Sequence, residues 1–413
     1  MDPAWIDAAL TSVRPRAVAA LLRYFRDIDM AEEAFQEACL RALAKWPEQG
    51  PPRDAAGWLI LVGRNSGIDR LRRTGREEEL PDDLPASVAD DEEAALVDRL
   101  DESAYRDDIL RLLFVCCHPD LPATGSIALA LRIVCGLSVP RIASAFLVGE
   151  KAMEQRITRA KARIAEAGVP FETPGPVERA ERLGAVMAMV YLVFNEGYSA
   201  AGDDRGAREP LCREAIRLAR LLLKLFPAEP EVLGLAALML LQHARGAARL
   251  DAQGKAVLLD DQDRTRWDRA SIAEGLALLD KAIRHRRSGP YQVQAAIAAL
   301  HARAATAAET DWAQIERLYA TLEQMQPSPV FTLNRAVAVG KLSGPAAALA
   351  LLAPLGARLD GYFYYHGARG AFLDQLGRAA EAREAFTRAI GLAGSAAEAA
   401  YIRQQLDRLV AVE

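Results

Sequence analysis

The stretch from Leu137 to Ile164 limits the fold of this chain more narrowly than any other. Its sequence, LSVPRIASAFLVGEKAMEQRITRAKARI, predicts two short helices joined by a tight turn, with Gly149 opening the second helix. Ser138 is expected to cap the first helix, and Pro140 suits its opening turn. Apolar residues at helical spacing predict one buried stripe on the second helix, formed by Met153, Ile157, Ala160 and Ile164. The pattern predicts a helix-turn-helix.

The opposite face of the second predicted helix is basic. A helix that is apolar on one side and cationic on the other is typical of a recognition helix that lies in the major groove of DNA. An ordinary solvated surface helix is the plainer alternative, because most charge runs are solvated faces. Since the turn, the cap and the two-faced helix coincide, we predict DNA contacts from Lys151, Gln155, Arg156, Arg159, Lys161 and Arg163.

The rest of the chain is also predicted to be helical. Hydrophobic residues make up 51% of the 413 residues but aromatic residues only 6%, and alanine and leucine dominate. Almost no segment alternates β-branched and polar residues as a half-buried strand would. Because alanine and leucine are strong helix formers, the predicted fold class is all-α.

Changes in composition divide the chain into four predicted segments. Between Glu77 and Asp108 there are fourteen acidic residues against two arginines, a composition that resists folding by itself. The run GVPFETPGP, which begins at Gly168, is a clear boundary. The predicted segments are a compact helical unit at 1–75, an acidic linker at 76–105, a second helical unit at 106–168 and a helical extension at 169–413.

Three amphipathic helices are predicted in the first unit, near 17–25, 30–46 and 55–73. The second of them has a polar face, which would be an ordinary solvated surface if no partner covered it. Arginines gather towards the C-terminal end of the third, where a helix dipole also favours cations. The residues expected to be buried are Phe35, Cys39, Ala42, Leu43 and Trp46 on the second helix, and Trp58, Leu61, Val62, Ile68 and Leu71 on the third.

Small and large packing residues in 365–392 follow the pattern of a tetratricopeptide helix pair. A weaker copy precedes this pair at 334–352, so 177–413 is expected to be a stack of helical hairpins stabilised by packing between neighbours. The aromatic run at 362–366, which ends in His366, is expected to pack between these helices, and a surface for a bound peptide or protein is the alternative. The pattern residues in the pair are Ala368, Leu373, Leu376, Gly377, Ala382, Ala385, Phe386 and Ala389.

Several classes of protein are not indicated. The sequence shows no nucleophile–base pair, phosphate-binding loop or zinc-ligand spacing, so neither an enzyme nor a metal or cofactor site is predicted. The five cysteines are an odd number in a long chain, and the pair at Cys116 and Cys117 is expected to pack in a core. The N-terminus does not resemble a signal peptide, and the longest apolar run, near 232–241, is too short to span a bilayer. A soluble, cytoplasmic protein without membrane partners is expected.

Three segments together resemble the extracytoplasmic-function sigma factors of bacterial RNA polymerase, a group of the sigma-70 family. They are AEEAFQEACLRAL at 31–43, AAGWLILVGRNSGIDRLRR at 55–73, and RITRAKARI at the end of the helix-turn-helix. Four C-terminal segments are similar to a subgroup with a long tetratricopeptide-like extension: FNEGYSA, LLDDQDRTRWDRA, PSPVFTLNRAVAVG and DGYFYYHGARGAF. The resemblance implies a sigma-2 domain at 1–75, a linker, a sigma-4 domain at 106–168 and a tetratricopeptide-like domain at 169–413.

The resemblance also implies roles for particular residues. The helix-turn-helix residues named above would read the promoter's −35 element. In such factors the sigma-2 domain docks on the clamp coiled coil of the polymerase, which implies that role for Asp29, Glu33, Gln36, Glu37 and Arg41. The same domain holds unpaired bases of the −10 element, which implies DNA contacts from Arg53, Asp54, Arg64, Asn65, Asp69, Arg70, Arg72 and Arg73.

The implied function is transcription initiation, in which the chain binds core RNA polymerase and directs it to specific promoters. The extension would regulate this activity, through a regulatory protein or peptide bound to its helices. The alternative is a conventional helix-turn-helix transcriptional regulator with a helical-repeat sensory domain, which would bind promoters without polymerase.

Overall fold

Helices are the regular elements in the described part of this chain. The computed structural model describes residues 4–50, 52–74, 102–118, 120–146, 148–167, 176–198, 205–249, 251, 257–394 and 396–411. Within these ranges there is no β-strand, so the all-α prediction is confirmed. None of the helices described there is long and apolar enough to cross a membrane. The predicted acidic linker lies almost entirely outside the described residues, because 75–101 are not among them.

Two compact units make up the chain, Met1–Val193 and Phe194–Glu413. The described helices of the first unit are α1 (Ala4–Phe25), α2 (Ile28–Gln49), α3 (Ala55–Thr74), α4 (Glu102–Cys116), α5 (Ala123–Ile133), α6 (Val139–Ala145) and α7 (Glu150–Glu166); the boundary falls within α8 (Pro176–Tyr198). In this unit α1 packs on α2, α3 and α4, and α7 packs on α5 and α6.

Local signals set the ends of α2. The carboxylate of Asp27 accepts a hydrogen bond from the backbone N–H of Met30 at 2.9 Å, which caps the N-terminus. At the other end Gly50 has a φ of +80°, in the left-handed region that glycine adopts without strain. The helix therefore begins and ends where its sequence provides a cap and a break.

The core of α1–α3 contains most of the predicted residues but not all of them. On α2, Phe35, Ala42 and Trp46 are buried and Cys39 is half-buried. The prediction for Leu43 is wrong, because 50% of this residue is exposed. On α3 the predicted Leu61, Ile68 and Leu71 are buried, whereas Trp58 and Val62 are half-buried. Leu43 is exposed because its side of α2 faces away from α1 and α3. The packing of these helices, and not the spacing of apolar residues, decides which side of α2 is buried.

The helix-turn-helix is formed by α6 and α7. All four residues of the predicted apolar stripe on α7 are buried, which confirms that part of the prediction. Gly149 is the N-cap residue of α7. Ser138 occupies the N-cap position of α6 as expected, but its side chain makes no capping hydrogen bond, so the predicted cap is not formed.

In the second unit most helices pack on their neighbours along the chain, and the helix Pro230–His243 also packs closely on the helix Pro290–Arg303. Packing between neighbours is what stabilises a stack of hairpins. The helices are α9 (Arg205–Leu225), α10 (Pro230–His243), α11 (Arg269–Arg284), α12 (Pro290–Arg303), α13 (Trp312–Met325), α14 (Pro329–Ser343), α15 (Pro345–Leu352), α16 (Gly356–Leu359), α17 (Phe363–Gln375), α18 (Ala379–Leu392) and α19 (Ala396–Ala411).

The best predicted repeat corresponds to α17 and α18. Most of its pattern residues are buried, but Leu376 is 39% exposed because it follows the last turn of α17. The aromatic run divides: Tyr365 is buried in the core, whereas Tyr364 is 52% exposed, so the packing prediction fails for Tyr364. The pattern residues that are buried are Leu373, Ala382, Ala385, Phe386 and Ala389.

The predicted packing role of the neighbouring cysteines agrees with their burial. Cys116 and Cys117 are both buried and unbridged at the end of α4. Burial raises the pKa of the Cys117 thiol to about 12 and raises the pKa of Cys116 well above its usual value. These thiols are therefore protonated near neutral pH and behave as small apolar groups.

Candidate nucleic-acid interface

The exposed face of α7 carries most of the residues predicted to contact DNA. Lys151, Gln155 and Arg159 are exposed at four-residue spacing, so they lie in one row. Arg156, half-buried, flanks the row. The exposed Arg163 donates a hydrogen bond from Nη1 to the carbonyl oxygen of Asp120 at 2.9 Å. A cavity of about 620 Å³ runs beside these side chains, between α7 and the start of α5.

Lys161 does not belong to that face. A helix turns about 100° per residue, so Lys161 projects about 200° away from Arg159. Its Nζ lies 2.6 Å from Oδ1 of Asp29 and 3.0 Å from Oε2 of Glu32, both on α2. Burial opposes its charge, but the hydrogen bond to Asp29 and the attraction of Glu32 raise the pKa of Lys161 above its usual value. Two residues predicted for different partners, Lys161 and Asp29, are thus bound to each other.

Glu32 is the centre of a charge cluster that the sequence analysis missed. Its side chain is only 6% exposed, and its Oε1 lies 2.8 Å from Nη2 of Arg132 and 3.4 Å from Nη2 of Arg14. Burial lowers the pKa of the Arg14 guanidinium, which also donates from Nε to the carbonyl oxygen of Ile133 at 3.0 Å. A signal was present in the sequence, because position 32 falls on the apolar stripe of α2 between Ile28 and Phe35, where an unpaired carboxylate is not tolerated.

The predicted −10 residues line α3 and the loop before it. The guanidinium of Arg64 lies over the ring of Tyr24, 4.8 Å from its centre. Asn65 is half-buried and Asp69, one turn later, is exposed, so both lie on one face of the helix. At the C-terminal end Arg70, Arg72 and Arg73 are exposed, and Arg73 donates from Nε to the carbonyl oxygen of Asp69 at 3.2 Å.

The loop before α3 contains two further predicted residues with different surroundings. Arg53 is exposed. The carboxylate of Asp54 accepts a hydrogen bond from the backbone N–H of Ala56 at 3.0 Å and forms an ion pair with Arg16 at 3.6 Å. Asp54 therefore already serves to begin α3 and to tie it to α1.

The predicted docking face of α2 is exposed and mixed in chemistry. Glu33 forms an ion pair with Arg70 on α3, and Arg41 lies 3.6 Å from Glu37. Beside them Leu40 and Leu43 are 62% and 50% exposed, which the sequence analysis did not predict. Gln36 is also exposed. Charged residues beside exposed leucines are what a protein-binding surface offers, since apolar contacts form its centre and charges its rim. We define these residues, Glu33, Gln36, Glu37, Leu40, Arg41 and Leu43, as the α2 face.

Comparison with known proteins identifies the N-terminal helices. A family model described as Sigma-70 region 2 matches residues 10–77, which span α1–α3. A second, described as a family of unknown function (DUF6596), matches residues 182–283. An uncharacterized protein of Rhizobium meliloti (strain 1021) is 68% identical over 410 residues, which cover 99% of this chain and 97% of that relative. The chain therefore belongs to the sigma-70 family, with region 2 at its N-terminus and a helical C-terminal extension.

Proposed function

We propose that this protein is an extracytoplasmic-function sigma factor that binds core RNA polymerase and directs it to specific promoters. Its sigma-70 region 2 supports a role in transcription initiation. The observation that carries the proposal is the position of an exposed mixed face on α2 next to a cationic α3, within the segment that matches region 2. The proposed domains are sigma-2 at 1–75, a linker at 76–105, sigma-4 at 106–168 and a tetratricopeptide-like extension at 169–413.

The chemistry of each surface suits its proposed partner. On α3, Asn65 and Asp69 offer amide and carboxylate groups to the edges of unpaired −10 bases, while Arg72 and Arg73 hold phosphates. On α7, the exposed row offers Lys151 and Arg159 to phosphates or guanine edges and Gln155 to adenine, as the −35 element requires. The α2 face would contact charged helices of the polymerase through complementary side chains.

Purified full-length protein should support run-off transcription from its own promoter only when core RNA polymerase is added. Nuclease footprints should likewise appear over −10 and −35 only with core enzyme, because a sigma factor binds promoters as a subunit of the polymerase. A conventional helix-turn-helix regulator would give the same footprint without polymerase. Protection by the isolated protein, together with no affinity for core, would overturn the proposal.

Replacing Leu40 with aspartate should weaken binding to core RNA polymerase tenfold or more, because the new carboxylate would lose its water at the apolar centre of the interface without gaining a partner. The side chain is 62% exposed, so folding should be unaffected. A binding titration against labelled core enzyme measures the effect. Leu342→Asp, at a leucine on α14 that is 48% exposed, is the matched control and should bind as the unmodified protein does. Equal affinities for all three proteins would contradict the proposed docking role of the α2 face.

The extension is proposed to regulate this activity by binding a regulatory protein or peptide. A cavity of about 550 Å³ lies in the second unit, within the range of known ligand sites. Its walls are largely apolar and come from α14, α17, α19 and residues 257–260. Two polar pairs stand at the cavity: Lys341 Nζ lies 2.6 Å from Asp260 Oδ2, and the Tyr364 hydroxyl donates to Glu398 at 3.0 Å. Exposed Tyr364 and apolar walls support a peptide-binding groove.

Filling this groove should change promoter output. Ala371 lines the cavity, so Ala371→Trp would occupy part of it, whereas Ala380→Trp adds the same ring at an exposed position of α18. A reporter fused to the target promoter measures both variants in the cell. We expect a change of roughly threefold or more for Ala371→Trp alone, upward if the bound partner restrains the factor and downward if it activates it. Identical output from both variants would contradict regulation through this groove.

A further inference from the structure

Three arginines of the second unit lie against two aromatic rings. Cζ of Arg245 and Cζ of Arg264 lie 5.7 and 5.0 Å from the centre of the Trp267 ring, and Trp267 is only 2% exposed. Cζ of Arg249 lies 3.8 Å from the centre of the Tyr198 ring, and its guanidinium donates a hydrogen bond to the carbonyl oxygen of the same residue. We define Arg245, Arg249, Arg264 and Trp267 as the arginine cluster. It gathers three positive charges in one part of the extension.

These positive charges are not matched by carboxylates in the part of the chain that the structure describes. None of the three guanidiniums forms an ion pair there. Among the carboxylates, Asp260 attracts Arg264 most strongly, but it is already bound to Nζ of Lys341 at 2.6 Å. Burial lowers the pKa of the Arg245 guanidinium, and the charge of Arg249 adds to this effect. Since buried like charges without a counter-ion are unfavourable, an anion at this place would stabilise the fold.

Buried polar atoms without a hydrogen-bond partner are concentrated at the arginine cluster. They are Nε of Arg245, Nε of Arg264, Nε1 of Trp267 and, beside them, Nδ1 of His301. Burial and the charges of Arg245 and Arg264 lower the pKa of His301 to about 4, so its ring is neutral near pH 7. Buried N–H groups are nearly always bonded to an acceptor, so these atoms indicate a bound molecule. Water would accept their hydrogen bonds but would leave the positive charges uncompensated.

The distance between Arg245 and Trp267 suits a single oxyanion. Cζ of Arg245 is 5.7 Å from the centre of the indole ring, which carries the N–H at its edge. One phosphate, with hydrogen bonds of about 2.9 Å on two of its oxygens, bridges donors up to about 8 Å apart. Both residues can therefore donate to the same group.

We propose that the arginine cluster binds an oxyanion, the phosphate or carboxylate group of a small molecule. Arg245 and Arg249 offer planar guanidiniums that match two oxygens each, and the indole of Trp267 adds an N–H donor. None of these residues lines the groove described above, so the two sites are separate. They share a segment, because the carbonyl oxygen of Arg249 accepts a hydrogen bond at 2.8 Å from the N–H of Val257, a residue of the groove wall. The inference does not depend on the proposed function.

Fluorine NMR of the full-length protein labelled with fluorotryptophan tests the site, because Trp267 lies inside it. The signal of Trp267, assigned with Trp267→Phe, should shift as sodium phosphate is added and should saturate with a Kd of about 1 mM or lower. Sodium chloride keeps the ionic strength constant, so that general screening does not contribute. A parallel titration with sodium succinate distinguishes the two sources of the oxyanion: saturation by phosphate alone indicates a phosphorylated ligand, and saturation by succinate alone a carboxylate ligand. No saturable shift with either salt would overturn the proposal.

Arg245→Met separates binding of an anion from simple packing, because methionine keeps an apolar chain against Trp267 but removes the charge. It should weaken binding of the saturating salt tenfold or more. Arg266→Met, at an exposed arginine next to Trp267, is the matched control and should bind as the unmodified protein does. If Arg245→Met does not fold, as circular dichroism would show, Arg249→Gln provides the same comparison. Equal affinities of the substituted cluster and the control would mean that these arginines only pack on the rings, and would overturn the proposal.

Discussion

Replacing Trp46 with alanine should destabilise α1–α3 by about 3–5 kcal/mol, the range for removing a fully buried tryptophan. The residue is 2% exposed, and its ring centre lies 6.2 Å from that of Trp5 and 5.4 Å from that of Trp58. The cavity left behind would remove contacts among all three helices of region 2. Amide hydrogen exchange should therefore become at least about a hundredfold faster in α1–α3.

A chain of two compact units does not unfold in a single two-state transition, so one unfolding free energy would not describe it. Hydrogen exchange is the suitable measurement because it reports the stability of α1–α3 separately from that of the second unit. Leu43→Ala is the matched control, since Leu43 lies one turn away on the same helix but is 50% exposed. It should change local stability by less than about 0.5 kcal/mol. Equal effects of the two substitutions would mean that Trp46 does not hold the three helices together.

Replacing both Arg156 and Arg159 with alanine should lower the affinity of the polymerase complex for promoter DNA about a hundredfold. Each arginine contact to a base edge or phosphate pair contributes about 1–3 kcal/mol, and both side chains stand on the proposed DNA-facing side of α7. The effect should also appear as a weaker dependence of affinity on salt, since fewer phosphates are neutralised. Titration of labelled promoter at two salt concentrations measures both quantities.

Arg163→Ala is the comparison within the same helix. Its guanidinium is already bonded to the carbonyl oxygen of Asp120, so less of it is available to DNA. We expect a smaller loss of affinity than for Arg159→Ala alone. If Arg163 mattered as much as Arg159, or if the double substitution had no effect, the proposed orientation of α7 on the −35 element would be wrong.

Periodicity predicted the helices and most of their buried faces. The buried stripe on α7 and the helix pair α17 and α18 could be predicted from the spacing of apolar residues. The fixed turn of a helix places residues at that spacing on one side of it, whatever the rest of the fold. The cationic surfaces at the end of α3 and along α7 could be predicted too, because helical spacing places their arginines on one side of each helix. Exposure at Leu40 and Leu43 could not, because apolar spacing alone does not show which side of a helix its neighbours cover.

The ion-pair partners of the charged residues could not be predicted from the sequence. Lys161 and Asp29 are 132 residues apart, and their contact exists only because α7 lies against α2. Position 32 carried a hint, a glutamate on an apolar stripe, but nothing local indicates that Arg132 and Arg14 neutralise it.

By itself, then, the sequence determined that the chain is helical, where a helix-turn-helix forms and which family it resembles, since these depend on residues close together along the chain. Only the tertiary structure decided which exposed side chains remain available to partners and which are bound within the molecule. Burial and ion pairing depend on distances between distant segments, and those distances exist only in the folded chain.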